Sequence, residues 1–289
     1  MKFPSFTNTW HKDVYAEIDA ARYELSAEGK RVVITGGGGG IGAATAEAFV
    51  VAGAAEVIIL DRTEKTLLAT KNTIRDKHNY SKVITVVADI SDQESTANAF
   101  DMMAKRGLID IYINNAGYLS DLSSLEISNN IEWWKSFEVN VRGSLFAIQS
   151  VLKNISKNGV MINVTTGAAH VPYVPGYSAY AVSKLGSAKL FEYLQAENPD
   201  LRIFNLQPGV IESTAISTKA TEQSGFSFPD QDTVQLPSNF MVWLSSPEAA
   251  FLKGRFVWAN WDVTELKQKE SAFQADPTLL TLGLLGWIQ

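Results

Sequence analysis

Between residues 31 and 113 short apolar runs alternate with amphipathic stretches. The run RVVIT (31–35) is β-branched and stops at glycines, so it reads as a strand. AATAEAFVVAG (43–53) carries helix formers with apolar side chains three and four apart, and ends at Gly53. EVIILD (56–61), KVITVVAD (82–89) and DIYINNAG (110–117) read as further strands. TEKTLLATKNTIRDK (63–77) and SDQESTANAFDMMAKRG (91–107), the second opening on a capping pattern, read as the helices between them. Beyond these the pattern predicts one long helix over 130–157, a strand GVMINVTT (159–166), a helix over 178–197 and a strand LRIFNLQ (201–207). After Pro208-Gly209 the periodicity fails until a last strand, GRFVWAN (254–260).

Continuous apolar strands between helices are what a parallel sheet covered on both faces produces. The expected fold is α/β: a single doubly wound Rossmann-type domain, with a mostly parallel seven-stranded sheet and helices on both faces. No internal repeat or linker interrupts it. The division is an N-terminal arm (1–29), a main domain (30–262) and a C-terminal tail (263–289). The aperiodic stretch at about 212–240 reads as a substrate lid.

Six of the seven residues Gly36 to Gly42 are glycine, and they lie between a strand and a helix. Glycines there permit a tight turn and close approach of the backbone to a pyrophosphate. The helix N-terminus adds unpaired N–H groups and a positive dipole end. Five consecutive glycines match several registers of such a turn. Ala43 follows Gly42, so the Gly-Lys-Ser/Thr of a nucleoside-triphosphate loop is missing. Asp61 closes the second strand. A carboxylate there accepts hydrogen bonds from both adenosine ribose hydroxyls and repels a 2′-phosphate, which favours NAD. Arg62, beside it, keeps NADP as the alternative. Tyr180 and Lys184, four apart in a helical stretch, project from one face. A phenol is a poor proton donor or acceptor at neutral pH unless a nearby ammonium, and a positive nicotinamide ring, stabilise the phenolate.

Taken together these motifs resemble the classical short-chain dehydrogenase/reductase family over roughly residues 30–260. The resemblance rests on Thr35-Gly36-x-x-x-Gly40-x-Gly42, Asp89, Asn114-Asn115-Ala116-Gly117, Asn140-Val141-Arg142-Gly143, Tyr180-x-x-x-Lys184 and Pro208-Gly209, in the family's order. The arm ELSAEGKRVVITGGG and the tail GRFVWANWDVTEL further resemble a fungal subgroup with members in secondary metabolism.

The resemblance implies the following roles. Tyr180 exchanges the proton with the substrate oxygen. Lys184 holds the nicotinamide ribose and lowers the tyrosine pKa, and Asn140 anchors a water that relays protons. Gly36, Gly40, Ile41 and Gly42 take the fixed roles and hold the pyrophosphate, with Gly37 to Gly39 as permissive turn, and Asp61 and Arg62 meet the adenosine ribose. Asp89 and Ile90 meet the adenine, while Asn115, Ala116 and Gly117 line the cofactor cleft. Pro208 and Gly209 lead to Ile211 and Ser213, which contact the nicotinamide carboxamide; the family usually has threonine where Ser213 stands. The family's substrate-orienting serine lies about thirteen residues before the tyrosine, where this chain has Gly167. Alignment on Asn163-Val164-Thr165-Thr166 instead puts Thr166 at that position, with one extra residue in the loop to Tyr180.

The implied function is an NAD(P)-dependent oxidoreductase that interconverts a secondary alcohol and a ketone, or reduces a related carbonyl. The alternatives on this fold are a cofactor-assisted isomerase, dehydratase or cyclase, and a non-catalytic dinucleotide-binding regulator. His170, Tyr173, Tyr177, Phe226 and Phe228 are candidates for an aromatic wall around an apolar or aromatic small-molecule substrate, with His170 also a candidate second acid or base. The family implies a homodimer or homotetramer, pairing through helix 130–157 and the Tyr180 helix.

Composition narrows the rest. The 289 residues are 46% hydrophobic and 19% charged, enough apolar mass for a sizeable core. The absence of cysteine excludes disulfides, thiol nucleophiles and sulfur-ligated metals, and three scattered histidines point to no metal site. A net charge of −6 argues against nucleic acid or an anionic membrane as the main partner. No apolar run approaches a membrane span and the first residues lack a signal-peptide core, so a cytoplasmic location is expected. The apolar end LLTLGLLGWIQ would cover either a neighbouring subunit or the chain's own core.

Overall fold

The computed structural model describes residues 5–80, 82–171, 173–211, 213–225 and 230–284. Seven strands form one parallel sheet: β1 (Arg31–Thr35), β2 (Glu56–Asp61), β3 (Val83–Val87), β4 (Ile109–Asn114), β5 (Ile155–Val164), β6 (Arg202–Gln207) and β7 (Phe256–Trp258). Their order in the sheet is β3-β2-β1-β4-β5-β6-β7, and every neighbouring pair is parallel. The chain first winds outward from β1 to β3, then returns past β1 and winds the other way through β4 to β7. The reversal opens a crevice at the carboxyl ends of β1 and β4, where such sheets bind ligands.

The strands are nearly continuous apolar runs because helices cover both faces. On one face α1 (Gly40–Val51) packs with α2 (Glu64–His78) and α8 (Gln235–Ser245), enclosing Phe49, Ile59, Phe240 and Trp243. On the other face lie α3 (Gln93–Ala104), α5 (Ser144–Val151) and α6 (Ser178–Glu197), over Phe100, Tyr112, Met161 and Phe191. Asp92 caps α3 by accepting from Ser95 N–H at 2.8 Å.

Three expectations change. The helix predicted over 130–157 is α4 (Asn130–Phe137), a π-helical turn (Glu138–Gly143) and α5. It ends at Val151, because Ile155 already pairs with Ile109 in the sheet. The register then jumps between Ile109 and Ile111, and the polar residues 156–159 bulge away, which hid the start of β5 from an apolar pattern. The stretch read as aperiodic after Pro208 holds α7 (Ala215–Ser224) and the whole of α8, one of the most deeply buried helices. Leu236, Phe240, Met241, Val242, Trp243 and Leu244 of α8 are all buried, so no polar face marks a helical period. Finally, β7 spans three residues, not seven.

The arm and tail pack on each other and on the core. Trp10 bridges to Trp261, and the Tyr15 hydroxyl donates to the Trp261 carbonyl at 3.1 Å while accepting from Val263 N–H at 3.0 Å. In the tail, α9 (Val263–Gln268) and α10 (Glu270–Ala275) bury Leu266 and Phe273. Leu279, Leu280 and Leu282 lie against the same core, and Phe256 N–H donates to the Leu280 carbonyl at 2.8 Å. This part of the apolar end covers its own sheet edge; residues 285–289 lie outside the described residues.

Candidate active site

The crevice is walled by the turns that follow β1 and β4, and two side chains lash these turns together. The Thr35 hydroxyl accepts from the N–H groups of Asn115 (3.0 Å) and Ala116 (3.1 Å). The Asn115 amide donates to the carbonyls of Thr35 (2.9 Å) and Gly36 (3.2 Å). The turn folds so tightly that a Cβ on Gly42 would come within 2.2 Å of the Gly36 carbonyl oxygen, so the first turn of α1 admits only glycine at this position. Gly37 and Gly38 are not merely permissive. A Cβ would stand 2.6 Å from Ile59 Cβ at the first and 2.5 Å from Thr66 Oγ1 at the second. Gly39 borders open space, and α1 begins after it with no side-chain cap. The first turn of α1 is thus left without a side-chain cap, and a helix N-terminus with free amides is what binds phosphate.

Asp61 stands at this turn, with Oδ2 3.1 Å from where a Gly38 Cβ would lie and Oδ1 accepting from Thr63 N–H at 3.2 Å. Arg62 is exposed beside it. Asp89 holds its own loop, accepting from the Ser91 N–H (2.9 Å) and hydroxyl (2.7 Å), and Ile90 is buried against Gly143.

The candidate reactive side chains come from α6 and the π-helical turn. Tyr180, Ser183 and Lys184 lie on the buried face of α6, one turn apart. The Lys184 ammonium donates to the Val164 carbonyl at 2.8 Å and stands 6.0 Å from the Tyr180 ring centre. A Cβ on Gly117 would lie 3.2 Å from that ammonium, so the bare glycine leaves room for it. An extra residue in the π turn re-aims side chains, and here it buries Asn140. Its Oδ1 accepts from Tyr118 N–H (2.8 Å), and its Nδ2 donates to the Tyr118 carbonyl and to Ser183 Oγ (both 2.9 Å). Asn140 thus ties the β4 turn to the helix that carries Tyr180 and Lys184.

Burial dominates the electrostatics. It lowers Lys184 to about 8 and pushes the Tyr180 phenol above its ordinary value, with Tyr177 adding to the rise. The depressed tyrosine pKa expected from the neighbouring ammonium is therefore not a property of the chain alone. At neutral pH the phenol keeps its proton.

The two threonines after β5 point differently. Thr165 is buried and donates to the Lys184 carbonyl at 3.3 Å. Thr166 is half-buried, and its hydroxyl oxygen accepts from Ala168 N–H at 3.3 Å. Beyond Thr166, Trp258 Nε1 donates to His170 Nε2 at 3.2 Å, and burial holds His170 below its ordinary pKa. The indole can only donate, so His170 Nε2 accepts and the neutral ring carries its proton on Nδ1.

The surroundings of Tyr180 are apolar. Leu119, Leu122, Tyr177, Ile216 and Ala220 pack with it, and the Tyr177 ring stands edge-on at 6.4 Å. Tyr173 is 83% exposed and lines no wall; Phe226 and Phe228 lie outside the described residues. Two of these apolar residues belong to α7, which is held over the crevice by groups that sequence reasoning missed. Lys219 donates to the Leu119 carbonyl (2.9 Å) and pairs with Asp121 (2.8 Å). Gln223 accepts from Leu122 N–H (2.8 Å) and donates to Asp121 (3.0 Å). The signal was a Lys-x-x-x-Gln spacing, legible only once α7 is known to be a helix. Ile211 is buried and Ser213 exposed. It is Thr214 that reaches the glycine turn, 3.3 Å from a Gly40 Cβ position.

The short chain dehydrogenase family profile matches residues 30–225. A short chain dehydrogenase/reductase of Claviceps purpurea is 30% identical over 289 residues, covering 98% of this chain and 95% of its own. The short chain dehydrogenase/reductase AacuD of Aspergillus aculeatus is 27% identical over 290 residues, covering 98% and 99%. A blue fluorescent protein from a metagenomic library, solved in complex with NADPH, superposes with a TM-score of 0.72 at 22% identity, over 81% of this chain and 97% of its own. The chain belongs to the short-chain dehydrogenase/reductase family, with relatives of fungal type along its whole length.

Proposed function

We propose that this protein is an NAD(P)-dependent oxidoreductase, with NAD favoured, that interconverts a secondary alcohol and a ketone on a neutral, apolar or aromatic substrate. The observation that carries the reading is the joint burial of Tyr180 and Lys184, braced by Asn140, beside an uncapped helix N-terminus at the glycine turn. The chain's residues fit a dinucleotide. The first-turn amides of α1 and the space at Gly39 suit a pyrophosphate, and the Asp61 carboxylate suits a ribose diol. NADPH in the structural relative supports a nicotinamide cofactor without deciding between the two forms.

When bound, the nicotinamide supplies or accepts the hydride at the substrate carbon. Tyr180, protonated at neutral pH, donates its proton to the carbonyl oxygen in the reduction direction. Lys184, below its pKa of about 8, carries the charge that steadies the phenolate left behind. The Thr166 hydroxyl donates to the same substrate oxygen and orients it. Leu119, Leu122, Tyr177 and Ile216 exclude water from the reacting groups. The nearest lid cation, Lys219, is engaged by the Leu119 carbonyl and Asp121, which leaves little to attract an anionic substrate.

A panel of neutral aromatic ketones and their carboxylated analogues, followed by loss of the reduced-nicotinamide absorbance band, tests the reading. Neutral ketones are expected to turn over faster; turnover of the carboxylates alone, or turnover with no cofactor consumed, contradicts it. The exposed Ile131, Trp134, Val182 and Leu185 on α4 and α6 further support self-association through these helices. Replacing Val182 by Lys should lower the mass measured by light scattering.

A further inference from the structure

Asp232, three residues ahead of α8, is a buried carboxylate outside every motif described above. Its Oδ2 accepts from Val210 N–H at 2.7 Å, and its own N–H donates to the Val210 carbonyl at 2.9 Å, so it grips this residue from both sides. The grip needs the glycine before it. Gly209 has φ +98°, and a Cβ there would lie 2.6 Å from Asp232 Oδ2. The Asn260 side chain lies beside the carboxylate and favours its charged form.

The N-terminal arm holds Asp232 in turn. Asn260 exchanges hydrogen bonds with His11, its Nδ2 donating to the His11 carbonyl at 2.9 Å and its carbonyl accepting from His11 N–H at 2.8 Å. Thr233 N–H donates to the Lys12 carbonyl at 2.8 Å, and the Thr233 hydroxyl donates to Asp13 at 2.6 Å. Lys12 pairs with Asp230. Residues 11–13 are thus stitched to Asp230 and Thr233, on either side of Asp232, and to Asn260.

The gripped turn matters because of where it leads. From β6 it runs through Ile211 to Thr214, which lies against the glycine turn. A dinucleotide whose pyrophosphate sits at that turn sends its adenosine half toward β2 and β3, where Asp61 and Asp89 stand. Its other half must then run along β4 to β6, past Lys184 and the Gly209–Val210 turn.

We propose that Asp232 is a positioning residue for the nicotinamide half of the cofactor: it fixes the Gly209–Val210 turn, and the N-terminal arm fixes Asp232. The inference rests on the dinucleotide reading of the site, and the test separates the two. Isothermal titration measures binding of NAD⁺ and of ADP-ribose, which lacks the nicotinamide. If the wild-type chain prefers NADP⁺, that cofactor and 2′-phospho-ADP-ribose are used.

Asp232→Ala removes the acceptor, and Gly209→Ala disturbs the same contact from the other side while leaving Asp232 in place. In whichever of these keeps the wild-type melting transition, the dinucleotide should bind about tenfold or more weakly, with ADP-ribose within about twofold of wild type. Asp232→Asn keeps an acceptor oxygen for Val210 and should stay within about threefold for both ligands. Parallel weakening of both ligands, no weakening of either, or a loss in Asp232→Asn as large as in Asp232→Ala overturns the assignment. A wild-type chain that binds neither ligand overturns the proposed function itself, and the assignment with it.

Discussion

Lys184 gives the fold a pH dependence whose size follows from its burial. Its ammonium is enclosed with one carbonyl partner, and its pKa falls from the ordinary 10.5 to about 8. The unfolded chain keeps the ordinary value, so between about pH 8 and 10 the unfolded state binds more protons than the folded one. Stability from this group must therefore rise with pH across that window. At about 1.4 kcal/mol per pH unit for a full proton, and with the folded group half-titrated at the lower limit, the rise comes to about 2 kcal/mol. Above about pH 10 the buried tyrosines act in the opposite sense, because their raised folded pKa values favour the protonated native state.

The perturbation is Lys184→Met, which fills the same volume without a titrating group. Urea unfolding of both proteins at matched pH isolates the lysine, since every other group is shared. The stability of the wild-type chain relative to the variant should climb by about 2 kcal/mol between about pH 8 and 10 and stay flat below about pH 7. A flat or falling difference across the window would refute the reasoning, because it would mean that Lys184 is as well solvated as an exposed lysine.

Two further outcomes follow from the crevice and the lid. Asp61→Ala removes the carboxylate at the glycine turn and should raise the kcat/KM for NADP relative to NAD; an unchanged ratio removes Asp61 from that role. Lys219→Ala releases α7 from the Leu119 carbonyl and Asp121, and should raise KM for the carbonyl substrate by about three- to tenfold. Cofactor affinity, measured by titration, should not move with it.

Much of the fold was legible because each signal was local. The strands RVVIT and EVIILD and the helix over 178–197 begin and end where expected, since glycines or charged residues punctuate an apolar run on either side. α8 was hidden for the opposite reason. Buried on all sides and carrying Pro237 in its first turn, it has neither a polar face nor an unbroken run of helix formers. The π turn at Glu138–Gly143 leaves the apolar period unbroken across it, so one helix was expected where two meet.

Within the site, the glycine turn stood out by its place between a strand and a helix, and Tyr180, Lys184 and Asn140 through the set of motifs that resembles the family. The parts that hold them in place did not. Lys219 meets Leu119 and Asp121 from about a hundred residues away, and Asp232 meets Val210 across the lid. Such pairings belong to the folded chain and leave no spacing to read. The phenol's rise was missed because the ammonium was weighed and the burial around it was not.

The central claim, that Tyr180 is the proton-transferring group of a nicotinamide-dependent oxidoreductase, is tested most directly by Tyr180→Phe with a ketone that the wild-type protein reduces. Cofactor affinity should match wild type, while kcat followed at the reduced-nicotinamide band should fall by about a hundredfold to ten-thousandfold. Near-normal turnover in that variant would contradict the account.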